Sequence, residues 1–471
     1  MPSDVLGWTA DRTCGVFVSA TASDGGDGTP EAPLKTLAEA IQIAAQREDE
    51  TARRVYACAE KFEETVTVTA GVTIHGGLDC KADWQWDRAK TTILTTSPGA
   101  VPLTMSAEGG TVHLENIHVI AQSTNTSDPG TSAIAVIAER CEVEVVRCTF
   151  EAGHAAPGAP GARPSPQREQ VDQGTRGKAA CSADAVVTEP PLSNDCGTAD
   201  TSDDSSGGQG GFGLEDRGGR AFSGSPGAEA YPNGGLYNTE DGTCSDGTTG
   251  RNGDPGMPGA GARGIGQLSN TGYTGTPGRD GQSGKTAQGG GGGAGSHGNA
   301  DACPGSANGG ASGGNGGAGG CGGEAGKGGS PGGSSIALLS LDAKLTFSDV
   351  RLIAGKGGKG GDGGVGQAGQ LGGDGGRGGS GSSALGLRAG CAGGMGGQGG
   401  TGGRGGGGQG GHSLGIAFQG TPDNLPSLDR AVVQRGEAGP GGEGSDDEHD
   451  GDAGKASDLL DFSPPQRAPA P

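Results

Sequence analysis

Val112-His-Leu-Glu-Asn-Ile-His-Val119 alternates apolar and polar side chains, and the same arrangement returns as Val143-Glu-Val-Val-Arg-Cys-Thr-Phe150 and Leu345-Thr-Phe-Ser-Asp-Val-Arg-Leu352. Extended outward, the three copies become ungapped units at 101–122, 132–153 and 334–355, about the length of one solenoid coil. Leu103 matches Ile134 and Ile336; Val112 matches Val143 and Leu345; Leu114 matches Val145 and Phe347. Ile117 falls with Cys148 and Val350, and Val119 with Phe150 and Leu352. A period of two marks strands with one buried face. One unit cannot bury its apolar row alone, and stacking at about 4.8 Å turns the rows into inward ladders. The expected fold is all-β, a parallel β-helix.

Two long insertions leave the units at the same place, after Ala152-Gly153 and after Ala354-Gly355. A weaker last unit starts near Ser413 and closes at Ala438-Gly439. This divides the chain into a β-helix with an N-terminal cap at 14–153, a glycine-rich insertion at 154–333, a coil at 334–355, a Gly-Gly-X insertion at 356–411, a last coil at 412–440 and an acidic, Pro-rich tail at 441–471.

The insertions carry a period of three. Lys356-Gly-Gly-Lys359-Gly-Gly-Asp362-Gly-Gly-Val365 runs on in phase to Ser380, and similar triplets fill 313–333 and 392–406. Three residues per turn is the period of the polyproline II helix, at about 3.1 Å per residue. Collagen is excluded, because it needs one glycine per triplet and many prolines. A lone Gly-Gly-X chain is a flexible linker, but glycine helices held at equivalent corners of a solenoid can approach closely enough for interchain N–H···O bonds and weak Cα–H···O contacts. A packed polyglycine II-type bundle is the expectation. Residues 156–260 lack the strict triplet and are expected to be irregular.

Composition narrows the functional classes. With 107 glycines in 471 residues and 3% aromatics, the chain is not globular throughout. A formal charge of -22 argues against nucleic acid or an anionic membrane as partner. No apolar run reaches the length of a membrane span. Met1-Pro-Ser-Asp4 lacks the features of a signal peptide; eleven cysteines without zinc-type pairs favour an exported chain whose leader precedes this numbering. Cys58 with Cys80 is the first expected disulfide and Cys181 with Cys196 the second. Cys148, on a ladder, is read as a small buried hydrophobe.

Val16-Phe-Val-Ser-Ala-Thr-Ala-Ser-Asp-Gly-Gly-Asp-Gly-Thr29, followed by Ala32-Pro-Leu-Lys-Thr36-Leu-Ala-Glu39-Ala-Ile41, reads as a strand, a loop and a short amphipathic helix with capping-box spacing at Thr36 and Glu39. Val55-Tyr-Ala-Cys58, Gly71-Val-Thr-Ile-His-Gly-Gly77 and Asp83-Trp84-Gln-Trp86 come next. This stretch, roughly 14–100, resembles the opening of secreted DUF1565-type right-handed β-helix proteins of the pectin-lyase-like superfamily. With its glycine insertions the chain resembles the glycine-rich, cysteine-containing surface β-helix proteins of myxobacteria. The resemblance implies a helix that plugs the first coil, a cell-surface or extracellular location, and no particular activity.

β-Helix enzymes that cleave acidic polysaccharides set carboxylates, with Arg, Lys or calcium, on the outer face of consecutive coils. The outward positions here are His113, Glu115 and His118; Glu142, Glu144 and Arg147; and Asp349 and Arg351. Their stacked rows, His113/Glu144/Thr346 and His118/Thr149/Arg351, keep no carboxylate on adjacent coils. They read as a solvated face, so no catalytic, cofactor-binding or metal residue is assigned. Replacing Glu142, Glu144 and Arg147 together is expected to leave the fold intact. The nonapeptide calcium repeat fails, since Gly357 to Val365 puts glycine where a large apolar residue belongs. Acidic clusters at 200–204 and 446–452 read as solvated charge, and Trp84 and Trp86 as packing over the helix end rather than sugar platforms. Three functions remain: a non-enzymatic structural or adhesive surface protein with polysaccharide or neighbouring surface proteins as partners; a carbohydrate-binding or carbohydrate-active β-helix; and an ice-binding protein, against which stand the charged X positions Lys356, Lys359, Asp362, Asp374, Arg377 and Arg404.

Overall fold

The computed structural model describes residues 9–464, except 13, 108, 126, 167, 183–188, 200, 226–232, 300 and 304–308. The chain winds through three sheets in fixed rotation. The first sheet takes Val16–Val18, Arg54–Cys58, Thr73–Asp79, Thr111–Glu115, Glu142–Val146 and Lys344–Ser348. The second takes Lys61–Glu63, Thr92–Thr95, Ile117–Ala121, Thr149–Ala152, Val350–Ala354 and Ala431–Gln434. The third takes Val66–Val68, Leu103–Met105, Ala133–Glu139, Ser335–Leu341, Ser413–Gln419 and Ala456–Asp461. All these pairings are parallel, as a stacked β-helix requires.

The ladders on the first two sheets follow the repeat. Val143 pairs with Val112 on one side and Leu345 on the other, and Val145 with Leu114 and Phe347, although the coils are separated by the first insertion. Phe150 lies between Val119 and Leu352, and Cys148 is buried in the same core. Between the first and second sheets the chain turns at Asn116, Arg147 and Asp349, whose φ values of 54°, 52° and 59° are left-handed. Asparagine and aspartate enter that region readily; arginine does so at a cost.

On the third sheet the alignment needs correcting. Leu103 pairs with Val136, not Ile134. Ile134 does pair with Ile336, and Ile336 with Leu414, but this row faces outward. It forms a second apolar core with Ile137, Leu339 and Ala417, covered by Leu268 and Tyr273 of the hairpin Gln267–Ser269/Gly272–Thr274. The third sheet is therefore buried on both faces, which explains its nearly unbroken apolar strands.

The helix Leu37–Ala45 packs on Val16–Val18, Arg54–Cys58 and Val66–Val68, and its Leu37, Ala40, Ile41 and Ala44 join the central core. Thr36 Oγ1 accepts from Glu39 N at 3.3 Å. Two further N–H groups, of Leu37 and Ala38, donate to the carboxylate of Glu64 in the first coil at 2.8 and 3.0 Å. Such caps contribute about 1 kcal/mol each, and this one also ties helix to coil.

The coils continue beyond 440. Ala456–Asp461, expected in an acidic tail, pairs with Ser413–Gln419. The corner glycine matching Gly153 and Gly355 is Gly436 rather than Gly439, since Gly436 N donates to Ala354 O as Gly355 N does to Ala152 O. Every glycine-rich insertion thus leaves from the second-to-third-sheet corner. Among the described residues no helix is long and apolar enough to cross a membrane. Met1 to Asp4 and Asp200 lie outside the described residues.

Candidate functional site

Two cross-strand rows stand on the outer face of the first sheet. Tyr56, His75, Glu115, Val146 and Ser348 form one; Arg54, Thr73, His113, Glu144 and Thr346 form the other. All of these except the buried Tyr56, together with Phe347 and Arg430, line a groove of about 690 Å³. Within each row carboxylates do not repeat on adjacent coils, as the alignment implies. Across rows they converge: His75 Nδ1 lies 2.8 Å from Glu115 Oε2, while His113 Nδ1 lies 3.0 Å from Glu144 and its Nε2 lies 3.9 Å from Glu115. The convergence was hidden in a row-by-row comparison, because residues two apart on one strand share a face and reach each other diagonally.

Glu115 is not solvated. Its side chain is 7% exposed and pairs with Arg147, which also donates Nε–H to Asn116 Oδ1 at 3.0 Å and lies over the Trp86 ring at 5.3 Å. Burial pushes the Glu115 pKa upward, but His113, His75 and Arg147 outweigh it and hold the carboxyl well below the usual range. Glu115 and, next, Glu144 raise His113 above its ordinary value despite its partial burial. Glu115 is an ionised anchor, with no proton to give. His113, held toward its charged form by Glu115 and Glu144, lines the groove beside this anchor. These contacts give the Arg147 side chain a structural role that accompanies its left-handed backbone, and they argue against the expectation that Glu142, Glu144 and Arg147 can be replaced together with the fold intact.

The remaining outward residues do not gather at this groove. His118 pairs with Glu151 at 2.9 Å, and Glu142 with Lys344 at 2.7 Å. Asp349 sits at a corner and Arg351 beside Thr149. Trp84 and Trp86 are buried with Ala10, Phe17, Tyr56, Cys58 and Leu78 on the outer face of the first sheet, with Trp84 against Phe17 of its terminal strand. Among the described residues no three His, Cys, Asp or Glu side chains are grouped to hold a metal ion.

The insertions show a regular pattern of their own. From Gly314 to Gly332 every third N–H donates to a carbonyl between Cys391 and Gln409. Gly278 to Gly293 donate in the same phase to Gly329 through Gly314, and Gly390 to Gly411 to Gly379 through Gly358. These registers never slip. Residues 247–262, expected to be irregular, join in: Gly247, Gly250, Gly253, Gly256, Gly259 and Ala262 donate to 392–407. So do 155–161 and 171–180, toward 356–380. Glycine frequency tracks the number of neighbours. One glycine per triplet suffices in 247–259, which carries its two other side chains outward; Gly289 to Gly295, bonded on three sides in all three phases, contains only glycine and Ala294.

Three disulfides pin this region: Cys181–Cys303, Cys196–Cys321 and Cys244–Cys391. The expected Cys58–Cys80 bridge is present, but Cys181 and Cys196 each pair with a partner more than a hundred residues away, because adjacent tracts are remote in sequence. Cys141 and Cys148 are buried thiols, and burial pushes the Cys148 pKa up to about 12. No known protein family, curated protein or solved structure matches the chain.

Proposed function

We propose that the chain is a non-enzymatic structural or adhesive protein of the cell surface or extracellular space. In this reading a right-handed, pectin-lyase-like β-helix is the stem, the helix Leu37–Ala45 caps its first coil, and the insertions form a polyglycine II bundle displayed along one corner. The observation that carries it is the period-three hydrogen bonding, shifted by one residue only within 163–170, that joins 155–180, 247–262, 275–295, 312–333, 356–380, 390–411 and 436–454. Such bonding offsets the entropy that glycine loses on ordering and makes a rigid body whose outward side chains are free to contact a surface. Four disulfides support an oxidising compartment. The test is a screen of acidic and neutral polysaccharides, with and without calcium, for binding and for release of reducing or unsaturated ends. Retention without release is expected; turnover would overturn the structural assignment.

A second reading, a carbohydrate-binding or carbohydrate-active protein, is favoured by the groove at His113, Glu144 and Arg430. Loss of glycan binding or turnover in His113→Gln would select it. Ice binding fits less well, because Lys356, Lys359, Asp374 and Arg377 interrupt any flat face of the bundle.

A further inference from the structure

The tract 436–444 lies in a groove between 356–380 and 390–411 and fills only part of it. Gly357, Gly360 and Gly363 donate to the carbonyls of Glu437, Pro440 and Glu443 at 2.9, 2.9 and 2.8 Å. In return, Gly439 and Gly442 donate to Gly411 and Gly408 at 2.9 and 2.8 Å. Asp362 Oδ1 accepts from Glu443 N at 2.8 Å, and Arg404 Nη2 donates to Glu443 O, so both walls clasp the tract's end. After Gly444 the chain turns away through Asp446 and His449.

The groove does not end there. Along one wall the N–H groups of Gly366, Gly372, Gly375 and Gly378 continue the donor row; along the other the carbonyls of Gly405, Gly402, Gly399, Gly396 and Gly393 continue the acceptor row. None of these groups is bonded by any described residue. The outward residues change with them. Where 436–444 is seated the 356–380 wall presents Lys356, Lys359 and Asp362; next along it, before Asp374 and Arg377, Val365 and Leu371, with Met395 opposite, are about half exposed at 49%, 47% and 50%. Among the described residues Gln398 reaches across, donating to Gly369 O at 3.4 Å, and Arg404 Nε donates to Gly363 O at 3.1 Å.

We infer that this open stretch binds a Gly-X-X tract of another polypeptide, laid in continuation of 436–444. An unpaired row of N–H and C=O groups is a template for an added chain, as at a sheet edge. The seated tract defines what fits: a Cβ on Gly439 or Gly442 would overlap the carbonyls of Gly358 or Gly361, so the occupant needs glycine at every third position. The five unbonded carbonyls span about 15 residues of extended chain. The occupant comes from outside residues 1–471. The tracts of this chain are already bonded in register, and none of the segments 1–8, 183–188, 226–232, 304–308 and 465–471 holds more than one glycine. The outer side of 436–444 carries Glu437, Pro440 and Glu443, so a second copy cannot offer it as a glycine face.

The inference rests on the bundle reading, and the test separates the two. The disulfide-intact chain is titrated with an 18-residue peptide of Gly-Gln-Ala repeats, uncharged because the protein is strongly anionic, and amide exchange is followed. The expected result is slowed exchange at Gly366, Gly372, Gly375 and Gly378, no change at Gly360 and Gly363, and binding about tenfold weaker for an Ala-Gln-Ala control and for the Leu371→Asp variant. Protected tracts without any effect of the peptide would overturn the docking site and leave the bundle standing. Rapid exchange throughout the tracts would overturn both. Protection that grows with protein concentration alone would replace the separate chain by a second copy and overturn the occupant inferred here.

Discussion

Gly360 and Gly408 belong to neighbouring tracts that lie so close that a Cβ on Gly360 would overlap the carbonyl oxygen of Gly408. The same holds for Gly363 against Gly405. Gly360→Val or Gly363→Val should therefore destabilise the chain by about 3 kcal/mol, through forced separation of the tracts and loss of their bonds. Lys359, whose partner is the exposed Asp362, points outward; Lys359→Ala should change stability by less than about 0.5 kcal/mol. Denaturant unfolding of the three variants is the check, and equal midpoints would refute the close packing.

Arg147→Ala should cost about 3–5 kcal/mol, because it removes the permanently charged guanidinium paired with the buried carboxylate of Glu115. Adding Glu115→Gln should recover part of the loss. Glu142→Ala, which removes an exposed pair with Lys344 and a long hydrogen bond from Thr111 at 3.4 Å, should be close to silent. Val145→Asp, an unpaired charge between Leu114 and Phe347, should be as damaging as Arg147→Ala. Chemical denaturation with far-UV circular dichroism would resolve these differences.

Two histidines give opposite pH responses. His412 is buried, with Nε2 2.8 Å from Ile265 O and Nδ1 accepting from Lys455 N at 2.8 Å, and burial lowers its pKa below 6.5. A depressed folded value means that its contribution is present above 6.5 and is lost as pH falls through the folded pKa. His113, raised by Glu115 and Glu144, contributes fully below 6.5 and loses that contribution as pH rises through its folded pKa. NMR titration should find His412 neutral, with the proton on Nε2, at a pH where His113 is still charged. Stability measured from about pH 5 to 8 should flatten on the alkaline side in His113→Gln.

The bridges should rank by the loop they close. Removing Cys196–Cys321, which spans 125 residues, should cost about 4–5 kcal/mol, against about 3 kcal/mol for Cys58–Cys80, which spans 22. Paired Cys→Ser variants and their melting temperatures test the order; a larger loss at Cys58–Cys80 would contradict it.

The coils on the first two sheets were legible because Val112, Val143 and Leu345 keep a period of two in register across the first insertion. Ile134 misled, since an apolar residue in a strand reads as inward whichever face is covered, and its cover, Leu268 and Tyr273, comes from a distant hairpin. Residues 247–262 were misjudged for a related reason. Their single glycine per triplet resembles a linker, whereas it marks a tract packed along one edge and open on the others. The Glu115–Arg147 anchor was out of reach because it depends on a diagonal contact and on a left-handed turn, neither of which an ungapped alignment displays.

The constant register between tracts has a consequence for how such a chain can change length. Gain or loss of a whole triplet carries every later glycine onto an equivalent site, so growth at the distal turns is nearly neutral. Gain or loss of one or two residues drives side chains into the walls, unless it falls where no glycine is required. Between Gly161→Asp362 and Val171→Leu371 the partnering advances by one residue, and the slip lies within 163–170, a segment without glycine. The molecule thus keeps its lengths in steps of three and confines the exception to a segment that can absorb it.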